Sequence, residues 1–211
     1  MRRPFATLCR LVFFVAFSAV ASAGELFNGR DFSGWEFVTS PATDIRAVCQ
    51  LLPGGVIAAT GQPVGFIATT ASYENYRLHA EWRWTGQPGN SGVLVHISSG
   101  PKDRAWPRCL QIQTKNRNVG DLLPMAGAAF AEPLAPEQKT PQRPHTAADS
   151  EKAVGEWNTC DIVCRGDTLE VTINGVQQNK VTQLTPHAGR IGFQFEGTPF
   201  ALRNISLQPL E

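Results

Sequence analysis

A nearly all-β sandwich is the fold class this sequence predicts, and three observations predict it. Apolar and polar residues alternate with period two along the chain, and long helical periodicity is absent. Glycine and proline, 19 and 15 copies in 211 residues, punctuate the sequence throughout. The candidate strands are short and separated by turn signals, which is the pattern of a β-sandwich or jelly roll.

Taken in order, the first segment stands apart. Arg2, Arg3 and Arg10 form a basic head, residues 11–20 an apolar run, and Ala21-Ser22-Ala23 supplies small residues at the cleavage positions. This is the form of a secretory signal peptide covering 1–23, too short for a membrane span. The mature part, 24–211, is expected to be a single domain, exported to the periplasm or the extracellular space. The formal net charge of +1 gives no electrostatic case for nucleic acid or an anionic membrane. No later segment is long and apolar enough to span a bilayer.

The expected strands are 35–38, 47–51, 56–59, 65–69, 76–84, 92–98, 109–115, 156–165, 168–173, 190–196 and 201–209. Asn174-Gly175 is a tight-turn dipeptide, and Arg165-Gly166-Asp167 closes a hairpin. The Ala/Pro-rich stretch 120–155 shows no convincing strand. Loops of that length in compact domains often serve as lids or binding loops. Export places Cys49, Cys109, Cys160 and Cys164 where disulfides can form, and buried free thiols are the alternative. On one extended strand Cys160 and Cys164 would sit roughly 13 Å apart, beyond disulfide reach.

Alternation sorts each strand into faces. In 76–84, Tyr76, Leu78, Ala80, Trp82 and Trp84 share one face, and Arg77, His79, Glu81 and Arg83 the other. In 92–98, Val93, Val95 and Ile97 alternate with Leu94, His96 and Ser98. In 109–115, Leu110 and Ile112 oppose Gln111, Gln113 and Lys115. In 190–196, Ile191, Phe193 and Phe195 point inward, with Gln194 and Glu196 outward. Rows of Gln, His, Arg and single acids suit sugar hydroxyls, because amides and imidazoles both donate and accept hydrogen bonds. If these strands are neighbours, they form a polar cleft floor.

Several motifs then resemble one family. Leu26-Phe27-Asn28-Gly29-Arg30-Asp31 with Gly34-Trp35 opens the match. Glu81-Trp82-Arg83 and Gly89-Asn90-Ser91-Gly92 follow, then Gln111-Ile112-Gln113 and Gly120-Asp121. Gly155-Glu156-Trp157-Asn158, Asn174-Gly175, Gly192-Phe193-Gln194, Glu196-Gly197-Thr198-Pro199 and Arg203-Asn204-Ile205 complete it in order. The chain resembles the 3-keto-disaccharide hydrolase domain family, with its concanavalin A-like lectin/glucanase jelly roll of two antiparallel sheets.

The resemblance implies cleavage of glycosides already oxidised to a ketone at sugar carbon 3. It also implies a carbohydrate or oxidised-sugar ligand and a possible divalent metal. The chemistry needs a general base, an enolate stabiliser and a proton donor. Among the matched motifs and the polar strand faces, Glu196, His96 and Glu81 are the expected catalytic residues. Gln111, Gln113, Lys115, Gln194, Arg83 and Trp106 are the expected substrate contacts, and Asp121 with Glu196 the expected metal ligands. The chain carries Gln111 and Asn116 where many members carry Glu and Asp, and Glu196 where many carry His. Two other readings stand beside this one. A non-catalytic carbohydrate-binding module would use the same fold. A two-carboxylate glycosidase would need paired acids, which Gln111-Ile112-Gln113-Thr114-Lys115 lacks.

Overall fold

The structure is a computed structural model that describes residues 24–103, 105–137 and 139–211. The segment read as a signal peptide lies outside the described residues. Among those residues, fourteen strands run in chain order: β1 (Gly24–Glu25), β2 (Trp35–Val38), β3 (Cys49–Leu52), β4 (Val56–Ala59), β5 (Gly65–Thr69), β6 (Tyr76–Trp84), β7 (Gly92–Asp103), β8 (Trp106–Gln113), β9 (Leu122–Met125), β10 (Asn158–Arg165), β11 (Thr168–Ile173), β12 (Val176–Val181), β13 (Arg190–Phe195) and β14 (Phe200–Pro209). They pair antiparallel into two sheets. One has the order β12-β11-β10-β6-β14-β4-β3, with β1 added to β14, and the other has the order β2-β5-β13-β7-β8-β9.

The core lies between the sheets and follows the alternation. Leu78, Ala80, Trp82 and Trp84 of β6 and Cys160, Ile162 and Cys164 of β10 face Val93, Val95, Leu110, Ile112, Ile191, Phe193 and Phe195. Burying apolar area at about 25 cal/mol per Å2 makes this seam the main source of stability. All four described cysteines are buried free thiols, and burial pushes the thiols of Cys49 and Cys164 up to about 12.

Three expectations need correcting. Residues 47–51 do not form one strand. Asp44 accepts a hydrogen bond from the Arg46 amide at 2.7 Å and caps a single helical turn, α1 (Ile45–Val48), before β3 begins. The stretch 120–155 is not structureless either. It supplies β9, and Arg143 bridges back to Leu122. Side chains of neighbouring elements take up its backbone polar groups: Gln178 Nε2 donates to the Ala148 carbonyl at 3.0 Å, and Asn179 Nδ2 to that of Gly120 at 2.8 Å. Ala and Pro show no period-two pattern, so alternation could not reveal an element held this way.

The third correction concerns β7. Its pairing shifts register beyond Val95, and His96 sits at φ 55°. Such a bulge re-aims the side chains that follow it. His96 therefore points between the sheets, edge-on to Tyr76 with ring centroids 5.8 Å apart. Ile97 moves to the outer face and packs with Phe66, Ala68, Leu94 and Cys109. The outer face of the β13-β7-β8 sheet thus has an apolar half and an amide half, and the amide half is the floor of a cleft.

Candidate functional site

The cleft has a volume of about 760 Å3. Gln111 and Gln113 of β8 and Gln194 of β13 form its floor. Asn90, Glu196, Lys115 and Trp106 stand at its rim. Residues 123–127 and 139–142 build the wall beside the floor, 123–125 as part of β9 next to β8, so the Ala/Pro-rich stretch lines the cleft. A larger hollow of about 890 Å3 lies beside β3 and β4, but Ala, Val, Leu and Phe side chains dominate it. Recognition needs convergent polar groups as well as space, and only the smaller cleft combines an amide floor with a carboxylate and lysines.

The floor depends on a gap in β7. Gly92 sits opposite Gln113 in the β7–β8 ladder, between β8 and β13. A Cβ there would lie 2.6 Å from Gln111 Nε2. Without it, the Gln111 side chain crosses β7, and Nε2 donates to Gln194 Oε1 at 2.9 Å and to Gln113 Oε1 at 3.1 Å. The Lys115 backbone N–H also donates to Gln113 Oε1, at 3.1 Å.

Each residue of the Gly89-Asn90-Ser91-Gly92 run has a separate task. Gly89 lets the side chain of Thr198 fill the place where a Cβ would stand. Asn90 Nδ2 donates to Glu196 Oε2 at 2.7 Å, which fixes the carboxylate at the rim. Ser91 Oγ donates to the Gln194 carbonyl at 2.6 Å and ties β7 to β13. Gly92 makes room for Gln111.

The structure brings together Glu196, Gln111, Gln113, Lys115, Gln194 and Trp106, all of which line the cleft. It does not bring Glu81, Arg83 or His96 there, so the expected convergence of Glu196, His96 and Glu81 in one pocket is not formed. Glu81 and Arg83 lie on the outer face of the opposite sheet, because the inner face of β6 is filled by Leu78, Ala80, Trp82 and Trp84. Glu81 accepts from Arg203 Nε at 2.7 Å and Asn204 Nδ2 at 2.6 Å. Burial raises its pKa, and these two donors with the Arg203 charge outweigh that and leave it lowered. Arg83 stacks on Trp157 with its guanidinium carbon 4.7 Å from the ring centroid. His96 is 0 % exposed, its Nδ1 faces the Pro186 carbonyl at 3.1 Å, and burial lowers its pKa to about 4.

Asp121 is also displaced from its expected role. It is 1 % exposed and does not line the cleft. It accepts from the His145 backbone N–H at 2.8 Å, Asn118 Nδ2 at 3.2 Å and Gln142 Nε2 at 3.2 Å, and pairs with His145 Nδ1 at 2.6 Å. Asn118 and Gln142 do line the cleft, so Asp121 is a buried peg that positions the wall. This arrangement does not fit a divalent metal. Glu196 is the only acid among the described cleft-lining residues, and no group of three His, Cys, Asp or Glu side chains comes together among the described residues.

Sequence reasoning missed Asn118, Gln142 and Lys139 as cleft residues and His145 as their support. All four lie in or beside the stretch without alternation. The one available signal was the short run Lys139, Gln142, Arg143 and His145, amides and bases spaced by Pro141 and Pro144, as in a wall built from turns.

The fold is that of carbohydrate-active jelly rolls. A candidate glycosyl hydrolase from Parabacteroides distasonis ATCC 8503 is 25 % identical, with 90 % of this chain and 94 % of that chain covered and a TM-score of 0.63. The β-glucanase of Bacillus licheniformis shares the fold at 11 % identity, covering 90 % and 99 %, with a TM-score of 0.59. The carbohydrate-binding module CBM66 of Bacillus subtilis does so at 12 % identity, covering 83 % and 95 %, with a TM-score of 0.58. No curated protein matches the sequence significantly. The family model described as the 3-keto-alpha-glucoside-1,2-lyase-like domain matches residues 22–208, nearly the whole described chain, and the protein belongs to that family.

Proposed function

We propose that this domain is an exported enzyme that cleaves glycosides carrying a ketone at sugar carbon 3. The observation that carries the reading is a single rim carboxylate, Glu196, held by Asn90 beside a floor of three amides. The 3-ketone acidifies the hydrogen on carbon 2. Glu196 takes that proton, and the C2–H electron pair becomes an enolate. As the carbonyl reforms, a C1=C2 double bond forms and the C1–O bond breaks. The departing oxygen takes the proton back from Glu196. Water adding across C1=C2 then completes a net hydrolysis. Lys115 supplies positive charge for the enolate, and Trp106 offers an apolar face to the sugar ring.

The test incubates the mature protein with a 3-keto-glucoside and with its unoxidised parent, with and without chelator. Cleavage of the ketone alone is expected, and Glu196→Gln should lower kcat roughly 10^2- to 10^4-fold. Binding without cleavage, even with added metal, would overturn the reading. The favoured alternative would then be a non-catalytic carbohydrate-binding module, which the amide-rich floor and the lone cleft acid also suit. A retaining or inverting glycosidase needs two carboxyl groups about 5–9.5 Å apart, and the described cleft holds one. Export is tested by sequencing the N-terminus of the processed protein, which should begin at Gly24.

A further inference from the structure

The hydrogen bonds of the floor fix which way each amide points. The Lys115 backbone N–H can only donate, so the Gln113 atom 3.1 Å from it is the carbonyl oxygen, Oε1. The Gln111 atom 3.1 Å from that oxygen must then donate, which makes it Nε2. The same Nε2 lies 2.9 Å from Gln194, whose atom there must accept, and is Oε1. One backbone N–H therefore sets the orientation of three side chains. Both hydrogens of Gln111 Nε2 are used. Among the described residues, Nε2 of Gln113 and Nε2 of Gln194 have no acceptor. Both side chains are more than nine-tenths buried and line the cleft.

From this polarity we infer that Gln113 and Gln194 form a pair of N–H donors for a carbonyl-type oxygen of the ligand, and that Gln111 is the residue that locks them in that sense. The inference rests on the cleft being the sugar site proposed above, and it names the ligand group that the floor selects. A ketone oxygen only accepts, so it matches a donor-presenting floor without leaving a hydrogen unpaired. A hydroxyl at the same place must also find an acceptor for its own hydrogen. If the oxygen becomes an enolate, the same donors bind it more strongly, because hydrogen bonds to charged acceptors are stronger. Glutamate at position 111 could not hold this arrangement. It has no hydrogens to give to the two Oε1 atoms, so one or both neighbouring amides would turn over.

The inference is tested by calorimetric binding of a 3-keto-glucoside and its unoxidised parent, with Glu196→Gln as the background so that turnover is suppressed during the titration. The background protein should bind the ketone in preference to the parent. Gln113→Glu and Gln194→Glu each replace an Nε2 with an acceptor oxygen of nearly the same shape. In Gln113→Glu the oxygen that accepts from Lys115 is retained. Each change should lower the ketone-to-parent affinity ratio by roughly 10-fold or more, while the parent, whose hydroxyl can donate, keeps most of its affinity. The ratio is taken within one folded variant, so a general loss of stability does not mimic it. An unchanged ratio in both variants, equal binding of the two sugars by the background, or binding of neither would overturn the inference. A wild-type protein that prefers the ketone and fails to cleave it would instead sink the lyase reading and leave this one standing.

Discussion

Replacing Gly92 with alanine should collapse the floor of the cleft from a distance, and the size of the effect can be worked out. The new Cβ would stand 2.6 Å from Gln111 Nε2, 2.7 Å from Cγ and 2.9 Å from Cδ. Real Cβ atoms essentially never approach below 3.0 Å, so Gln111 must leave its place. It is 1 % exposed and bonded to both neighbouring glutamines, so it can leave only by breaking those bonds and moving out into the cleft. Overpacking of this kind costs about 1–3 kcal/mol. Losing the two bonds from Gln111 Nε2 adds about 0.5–1.5 kcal/mol each. Alanine in a strand returns about 0.5–1 kcal/mol relative to glycine. The net loss should be about 1–5 kcal/mol, centred near 3. Gln111→Ala removes the two bonds without the clash and should cost about 1–3 kcal/mol. In the double variant the methyl introduced at position 92 occupies the space that Gln111 vacated, so the clash disappears. Its cost should be close to that of Gln111→Ala alone. Urea unfolding of the wild type and the three variants, with unchanged m values, measures the coupling. Two single effects that add within about 0.5 kcal/mol would refute the idea that Gly92 exists to let Gln111 cross β7.

Other predictions follow from the same geometry. His96 has a pKa lowered from 6.5 to about 4 by burial, so below pH 6.5 the unfolded chain takes a proton that the folded chain refuses. The stability present at neutral pH should therefore fall by about 3 kcal/mol between pH 6.5 and 4. Glu81, whose pKa is lowered, adds a loss of the same sign at lower pH. His96→Leu should flatten the part between pH 6.5 and 4 in urea titrations, and an unchanged slope would assign the effect elsewhere. Asp121→Ala leaves the two His145 donors unsatisfied and frees Asn118 and Gln142, at about 3 kcal/mol or more. A loss below about 1 kcal/mol would show that water replaces the carboxylate. Sugar binding should weaken in the same variant, because two wall residues lose their support.

The two catalytic expectations that failed share one physical cause. Glu81 and His96 each lie on a strand with clear alternation, and alternation assigns a face only relative to that strand's own sheet. It does not say which sheet a strand joins or where a bulge reverses the order. β6 joined the sheet opposite the cleft, where Glu81 became one member of an ion-pair cluster with Arg203. β7 carries a bulge at His96, which turned an imidazole expected on the cleft floor into a core residue. Strands β8 and β13 have no such irregularity within 109–113 and 192–195, and there the face assignments held. Gln111, Gln113 and Gln194 stand where alternation put them.

The sequence by itself determined the sandwich class, most strand positions, the inward faces of β6, β8 and β13, and the family, because these depend on short-range periodicity and on motifs a few residues long. Only the tertiary structure decided which polar rows meet. It set β13 and β8 on either side of β7, left one glycine-wide gap between them, and folded a segment without periodicity into the cleft wall. It also turned the three amides of the floor into one oriented group anchored by the Lys115 N–H. A glutamine can donate or accept with equal ease, so its sense at a site is decided by the neighbours that packing supplies.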